Sequence, residues 1–164
     1  MVDGSVVVGP ADRNLPPAMA PLGMSAKGWS ELRTVPPTIV AKKEAPVKKN
    51  TMTGKDVDLY QIPIMRHHEM DGGPYIVLST ITKDRKSGIY NLSYHRMEVK
   101  SKNSTALYAS PRHLWKIFKD YEENNLEMPV ATVLGHHPAF HMGACYSGPF
   151  EVSEYDVIGG YLGE

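Results

Sequence analysis

The chain has 164 residues, enough for one domain with a sizeable core. Lys plus Arg and Asp plus Glu are equal at 18 each, so there is no basic field to hold a phosphate backbone and nucleic acid is disfavoured as a partner. The single cysteine, Cys145, excludes an intramolecular disulfide, and no apolar run approaches the roughly 20 residues of a membrane span, so a soluble protein of the reducing cytoplasm is expected.

Residues 1–50 hold seven of the thirteen prolines and show no sustained period of 2 or 3.6. They read as an irregular arm, taken here as 1–57, with Met19, Leu22, Met24 and Trp29 as apolar anchors that would favour docking over disorder. The remainder, 58–164, reads as the folded domain. "PYIVLSTIT" (74–82) is a β-branched run between the turn signals "DGG" and "KDRKSG", and "IYNLSYHRMEV" follows at once, which predicts a β-hairpin. "STALYAS" (104–110) predicts a third strand. In "SPRHLWKIFKDYEENN", Ser110 suits an N-cap and Pro111 the first helical position, with Leu114, Ile117, Phe118 and Tyr121 as the apolar stripe. "PVATVLG" (129–135) has the composition of a strand buried on both faces. Pro138 can open a short helix through "AFHMGA", and Ser153 with Asp156 has capping-box spacing before "VIGGYLG". The order β-β-β-α-β-α-α predicts an α+β fold with a mainly antiparallel sheet.

Alternation puts Asn91, Ser93, His95, Met97 and Val99 on one face of the second strand, and Tyr90, Leu92, Tyr94, Arg96 and Glu98 on the other. Both faces are mixed, whereas a structural strand keeps one face apolar. Seven histidines are present, but no HExxH pair and no cysteine partner set suggests a closed zinc site. His137 and His141 are four apart and could share a helical face, although a histidine at a loop-to-helix junction is more often a cap or a surface residue. His113 falls in the first turn of a helix, where the dipole disfavours imidazolium and keeps the ring neutral, as a metal ligand must be. The same place suits a capping or packing histidine. Glu154, at the start of the last helix, is stabilised there whatever its role. Asn91, His113 and Glu154 together would make an O/N/O set suited to manganese or magnesium more than to zinc.

The segments "PPTIVAKKEAPVKKNTMTGKDVDLYQIPI", "DGGPYIV", "TITKDRKSGIYNLSYHRMEV", "SPRHLWKI", "PVATVLGHHPAF" and "VSEYDVIGGYLGE" occur in this order over roughly three quarters of the chain. Taken in series, they resemble the N-terminal and central part of the UbiD family of reversible, non-oxidative decarboxylases, which use prenylated FMN. The resemblance implies a split-β-barrel, flavin-reductase-like domain, incomplete at the C-terminus. It implies that Asn91, His113 and Glu154 hold a divalent metal, Mn2+ or Mg2+, bridging to the cofactor phosphate, and that Arg96 is the active-site arginine, turned into the cofactor pocket. Ser93, Tyr94, His95 and Arg96 would run beside the flavin, Arg112, next to the metal histidine, would be cofactor-binding, and so would Cys145 and Tyr146 in "GACYSG", whose carbonyls match the family's K+ site. Asn91 and Arg96 fall on opposite faces of a regular strand, so a bulge or strong twist is expected between them.

Family members continue past "GGYLGE" into a segment with an acidic pair and then a second α/β domain. The expectation is therefore that a complementary decarboxylase subunit or C-terminal portion supplies these, giving an oligomer that acts on an aromatic or α,β-unsaturated carboxylic acid. Without them Val157, Ile158, Tyr161 and Leu162 would lack part of their cover. A non-catalytic flavin- and metal-binding module, or a structural subunit, is the alternative.

Overall fold

The computed structural model describes residues 44–162 together with Pro36, Pro37, Ile39 and Ala41. The four apolar anchors of the arm lie outside the described residues. Three short 3-10 turns, Pro46–Lys48, Gly54–Asp56 and Leu59–Gln61, lead into the domain. Leu59 alone among these nine residues is buried, and its backbone N–H is tied to Lys102 O at 2.7 Å.

Strands β1 (Tyr75–Lys83), β2 (Tyr90–Ser101), β3 (Ser104–Tyr108) and β4 (Ala131–Val133) form one sheet in the order β3-β2-β1-β4, with every adjacent pair antiparallel. The helices are α1 (His113–Glu123), α2 (Pro138–Ala144) and α3 (Glu154–Leu162). Element order and sheet type are those the sequence pattern predicts. The hairpin turn is built by Asp84, whose Oδ2 accepts from Ser87 N at 2.7 Å and Ser87 Oγ at 2.6 Å, with Gly88 at φ +76° completing the reversal. Asp120 of α1 then pairs with Arg85 at 3.0 Å and Lys86 at 2.6 Å, fixing the turn against that helix.

Register explains the two-faced core. Ile76, Met97 and Val99, with Leu78 and Leu107 beside them, cluster with Leu59 on one face at one end of the sheet. Toward the other end the same face turns polar: Thr82 lies opposite Asn91, and Thr80 opposite both Ser93 and Thr132. The second face carries Leu92, fully buried, packed with Ala139 and Ala144 of α2 and Ile158 of α3.

Several expectations are corrected. Arg112 is extended at φ −128°, ψ −154°, so α1 begins at His113 and neither Ser110 nor Pro111 caps it. Among the described residues the "PVATVLG" strand is an edge strand paired only with β1, and none of Ala131, Thr132 and Val133 is buried, so it is not a strand buried on both faces. Val157 and Ile158 are 1% and 6% exposed, so they are already covered within this chain; Leu162 alone of the four is exposed. Ser153 Oγ accepts weakly from Tyr155 N at 3.4 Å, but among the described residues no return bond comes from Asp156, so the capping box is not closed.

Candidate functional site

β3 pairs with β2 only from Arg96 onward, which leaves the outer edge of Tyr90–His95 without a strand partner. Helix α3 takes that place. Ser153 Oγ donates to Tyr90 O at 2.9 Å, and Leu92 N donates to Glu154 Oε2 at 2.9 Å. A strand's backbone N–H points in the plane of the sheet, so the Glu154 carboxylate stands at the edge shared by the two faces. It is 4% exposed, and no ion pair of the described residues includes it. Burial pushes its carboxyl above the usual carboxylate range, against the lowering effect of the Leu92 bond.

Asn91, adjacent to Leu92, is 5% exposed. Its Nδ2 donates to Ser93 Oγ at 3.0 Å, Ser93 Oγ is 2.9 Å from His95 Nε2, and His95 Nδ1 is 3.2 Å from Tyr108 O. Burial lowers the His95 pKa, opposed by the Tyr108 bond. Tyr94, on the other face, hydrogen-bonds and stacks with His141. His113 is the first residue of α1 and half-buried, meeting Phe150 edge-on with 5.3 Å between ring centroids. Phe150 belongs to the loop that leads to Glu154, so the loop that carries the carboxylate also touches the histidine.

Asn91 and Glu154 are therefore joined through Leu92, while the loop at Phe150 runs from His113 toward Glu154. Among the described residues no hydrogen bond joins the three side chains to one another. Among the described residues no three of His, Cys, Asp and Glu gather as a metal site, and the expected set contains only two of those types. The donor chemistry nevertheless suits a cation. A buried carboxylate with one hydrogen bond and no counter-charge is costly by itself, and the Asn91 amide has spent only its donor side.

Arg96 is exposed, between Val77 of β1 and Tyr108 of β3, so the expectation that it turns away from bulk solvent is not met. The β1–β2 register runs without a break from Tyr75↔Glu98 to Lys83↔Tyr90, so the expected bulge is absent there; the irregularity of β2 lies at Val99/Ser101, against β3. Arg112, exposed, directly precedes α1. Cys145 is exposed at the C-terminal end of α2, and Tyr146 N bonds back to Gly143 O at 2.9 Å. His137 is the N-cap of α2, its Nδ1 accepting from Ala139 N at 3.2 Å, while His141 stacks on Tyr94.

Two features were not singled out from sequence. The hydroxyls of Thr80 and Thr82 are buried without a hydrogen-bond partner, opposite Ser93 and Asn91; polar residues at i and i+2 in a β-branched strand were their only sequence signal. The second is Ser153's hold on Tyr90 O, which needed the missing strand partner to be visible.

Residues 38–164 match the family model of the UbiD, 3-octaprenyl-4-hydroxybenzoate carboxy-lyase, Rift-related domain. Anhydromevalonate phosphate decarboxylase of Methanothermobacter thermautotrophicus is 33% identical over 126 residues, covering 73% of this chain and 30% of that protein. Among solved structures, an evolved dimeric form of the UbiD-class enzyme HmfF from Pelotomaculum thermopropionicum, in complex with prFMN, superposes with a TM-score of 0.74 at 32% identity, over 79% of this chain and 30% of that one. The vanillic acid decarboxylase ShVdcCD of Sedimentibacter hydroxybenzoicus, in open form with truncated ShVdcD, gives 0.69 at 26% identity, over 87% and 31%. The chain thus spans less than a third of the length of each of these relatives. The family match takes in Asn91, His113 and Glu154 together, and on it this chain belongs to the UbiD family.

Proposed function

We propose that this chain is the cofactor- and metal-binding portion of a UbiD-type reversible, non-oxidative decarboxylase of the cytoplasm, acting on an aromatic or α,β-unsaturated carboxylic acid. Asn91, His113 and Glu154 would hold Mn2+ or Mg2+, with K+ near the "GACYSG" carbonyls, in a domain whose sheet is part of a split barrel. Bound prenylated FMN would supply the electron sink for the C–C bond that breaks. The work of the chain's own residues is positional. Leu92 N–H holds Glu154, Ser93 holds Asn91, and the planar fork of Arg96 can grip a substrate carboxylate through two charge-assisted bonds. Arginine stays protonated and cannot deliver the proton that replaces CO2, so that step falls to an acidic pair from a complementary chain.

The observation that carries this reading is the buried Glu154 carboxylate, tied to the strand beside Asn91 and lacking a counter-charge. Its test is assembly with the complementary subunit, prenylated FMN and Mn2+, followed by assay of CO2 release. The expected result is turnover that Glu154→Ala abolishes; full turnover in that variant would overturn it. The exposure of Arg96 favours a second reading, a module that binds flavin and metal without chemistry. Binding of both with no turnover in any assembly would select it.

A further inference from the structure

The three bonds that run from Asn91 to Tyr108 have a fixed direction, which follows from the one group in them that can only accept. Tyr108 contributes a backbone carbonyl, so His95 Nδ1 carries the proton that reaches it at 3.2 Å. In the neutral ring Nε2 is then a bare acceptor, and the Ser93 hydroxyl 2.9 Å away must donate to it. A hydroxyl has one proton. With it committed to His95, Ser93 Oγ can offer only lone pairs to Asn91, so the amide must present its NH2 at 3.0 Å and turn Oδ1 the other way. The Thr80 and Thr82 hydroxyls, directly across on β1, make no hydrogen bond and do not compete for the amide.

We infer that His95 is a positioning residue that acts through Ser93 to set the orientation of the Asn91 amide, leaving Oδ1 as a preset ligand for a divalent cation. This rests on the metal reading above and deepens it. Without the chain of bonds, the two ends of the amide are nearly isosteric and either could face the cation; only the oxygen binds it. Residues that orient metal ligands in this way are worth about 10- to 100-fold in metal affinity.

The test is a titration of the protein with Mn2+ in the presence of FMN, followed by the EPR signal of the free ion. Ser93→Ala and His95→Phe should each weaken binding by about 10-fold, and Ser93→Thr, which keeps the hydroxyl, should stay near the starting affinity. The deciding arm is Asn91→Asp, whose two ends are both oxygen. In that background orientation no longer matters, so adding Ser93→Ala or His95→Phe should change affinity by less than about 3-fold. Losses that persist there mean that the two residues serve structure only, and the inference fails. Wild-type affinity in Ser93→Ala and His95→Phe, with binding lost in Asn91→Ala, overturns the inference and leaves the metal reading standing. Unchanged binding in Asn91→Ala overturns both.

Discussion

Leu92 N donates to Glu154 Oε2 at 2.9 Å, across 62 residues of sequence, and this bond fills the strand-edge donor that β3 leaves unpaired. The same bond fixes a carboxylate in a buried position that it would not choose alone. One contact therefore serves the sheet, which needs its backbone donor satisfied, and, on the proposed reading, a metal site that needs an anionic ligand held in place. On that reading the two needs conflict whenever no cation is bound.

That conflict gives the first prediction. Burial raises the Glu154 pKa in the folded state. Between the unfolded and folded values the native state holds more protons, so the stability that protonation provides is present at low pH and is lost as pH rises through the folded pKa. Glu154→Gln should remove this dependence and raise the melting temperature of the metal-free protein above that pKa by a few degrees, while abolishing stabilisation by Mn2+. Mn2+ affinity of the wild type should rise with pH over the same window, because the ligand must be ionised. Thermal melts across pH, with and without Mn2+, check both; a Gln variant that melts lower at every pH would mean that the carboxylate is only a structural acceptor.

The hairpin turn gives a prediction of opposite sign. Burial would raise the Asp84 pKa, but the hydrogen bonds from the Ser87 hydroxyl and backbone outweigh it and hold the carboxyl below its usual value. The ionised form is thus the stabilising one above the unfolded pKa, and its contribution is lost as pH falls through the folded pKa. Ser87→Ala should cost about 1 kcal/mol in urea denaturation at neutral pH. The gap between wild type and Asp84→Asn should be widest at neutral pH and close as the solution is acidified; a gap independent of pH would show that the turn does not use the charge.

Packing of α2 on α3 is tested at Gly143. A Cβ there would collide with Cγ1 and Cδ1 of Ile158 and lie 3.4 Å from Glu154 O, so this glycine is required by close approach and not by backbone angles. Gly143→Ala should destabilise by about 1–3 kcal/mol, the usual range for overpacking a tight core. Ile158→Ala alone creates a cavity beside Leu92, yet in combination with Gly143→Ala it should cost less than the sum. A double-mutant cycle of denaturation midpoints measures that coupling, and strict additivity would refute the close contact.

The strands, their succession along the chain, the hairpin and the mixed faces of β2 were legible because side-chain alternation and turn signals are local. Asn91 and Ser93 could be placed on one face in that way. Other features were not local. Pro111 looked like a helix start, but Arg112 in an extended conformation delays α1 to His113, and the dihedral that decides this leaves no mark in the sequence. The apolar run "PVATVLG" does not reveal whether a strand has one neighbour or two. The direction of the bonds from His95 to Asn91 depends on Tyr108 O, supplied by a strand whose register against β2 no residue type announces. For Arg96, alternation was right and the expected bulge was not: an unbroken ladder keeps it across the sheet from Asn91.

That position frames the last prediction. Arg96 lies between Val77, 47% exposed, and Tyr108, 73% exposed, in a row that crosses three strands. Nothing among the described residues hydrogen-bonds or pairs with its guanidinium, so removing it should leave the fold of this chain nearly unchanged. If, on the proposed reading, a complementary chain closes over this row, the guanidinium passes from water into a covered site, where a bidentate grip on a carboxylate gains strength from the lower dielectric. Arg96→Lys keeps the charge and loses the fork. It should therefore bind flavin and Mn2+ as the wild type does and elute with the partner at the same size, yet decarboxylate at least about 100-fold more slowly, the scale expected when a substrate-orienting contact is lost. Flavin absorbance, elution volume and CO2 release on one preparation separate these effects. Turnover within a few-fold of wild type, with the partner bound, would remove Arg96 from the reaction and move the carboxylate grip to the complementary chain.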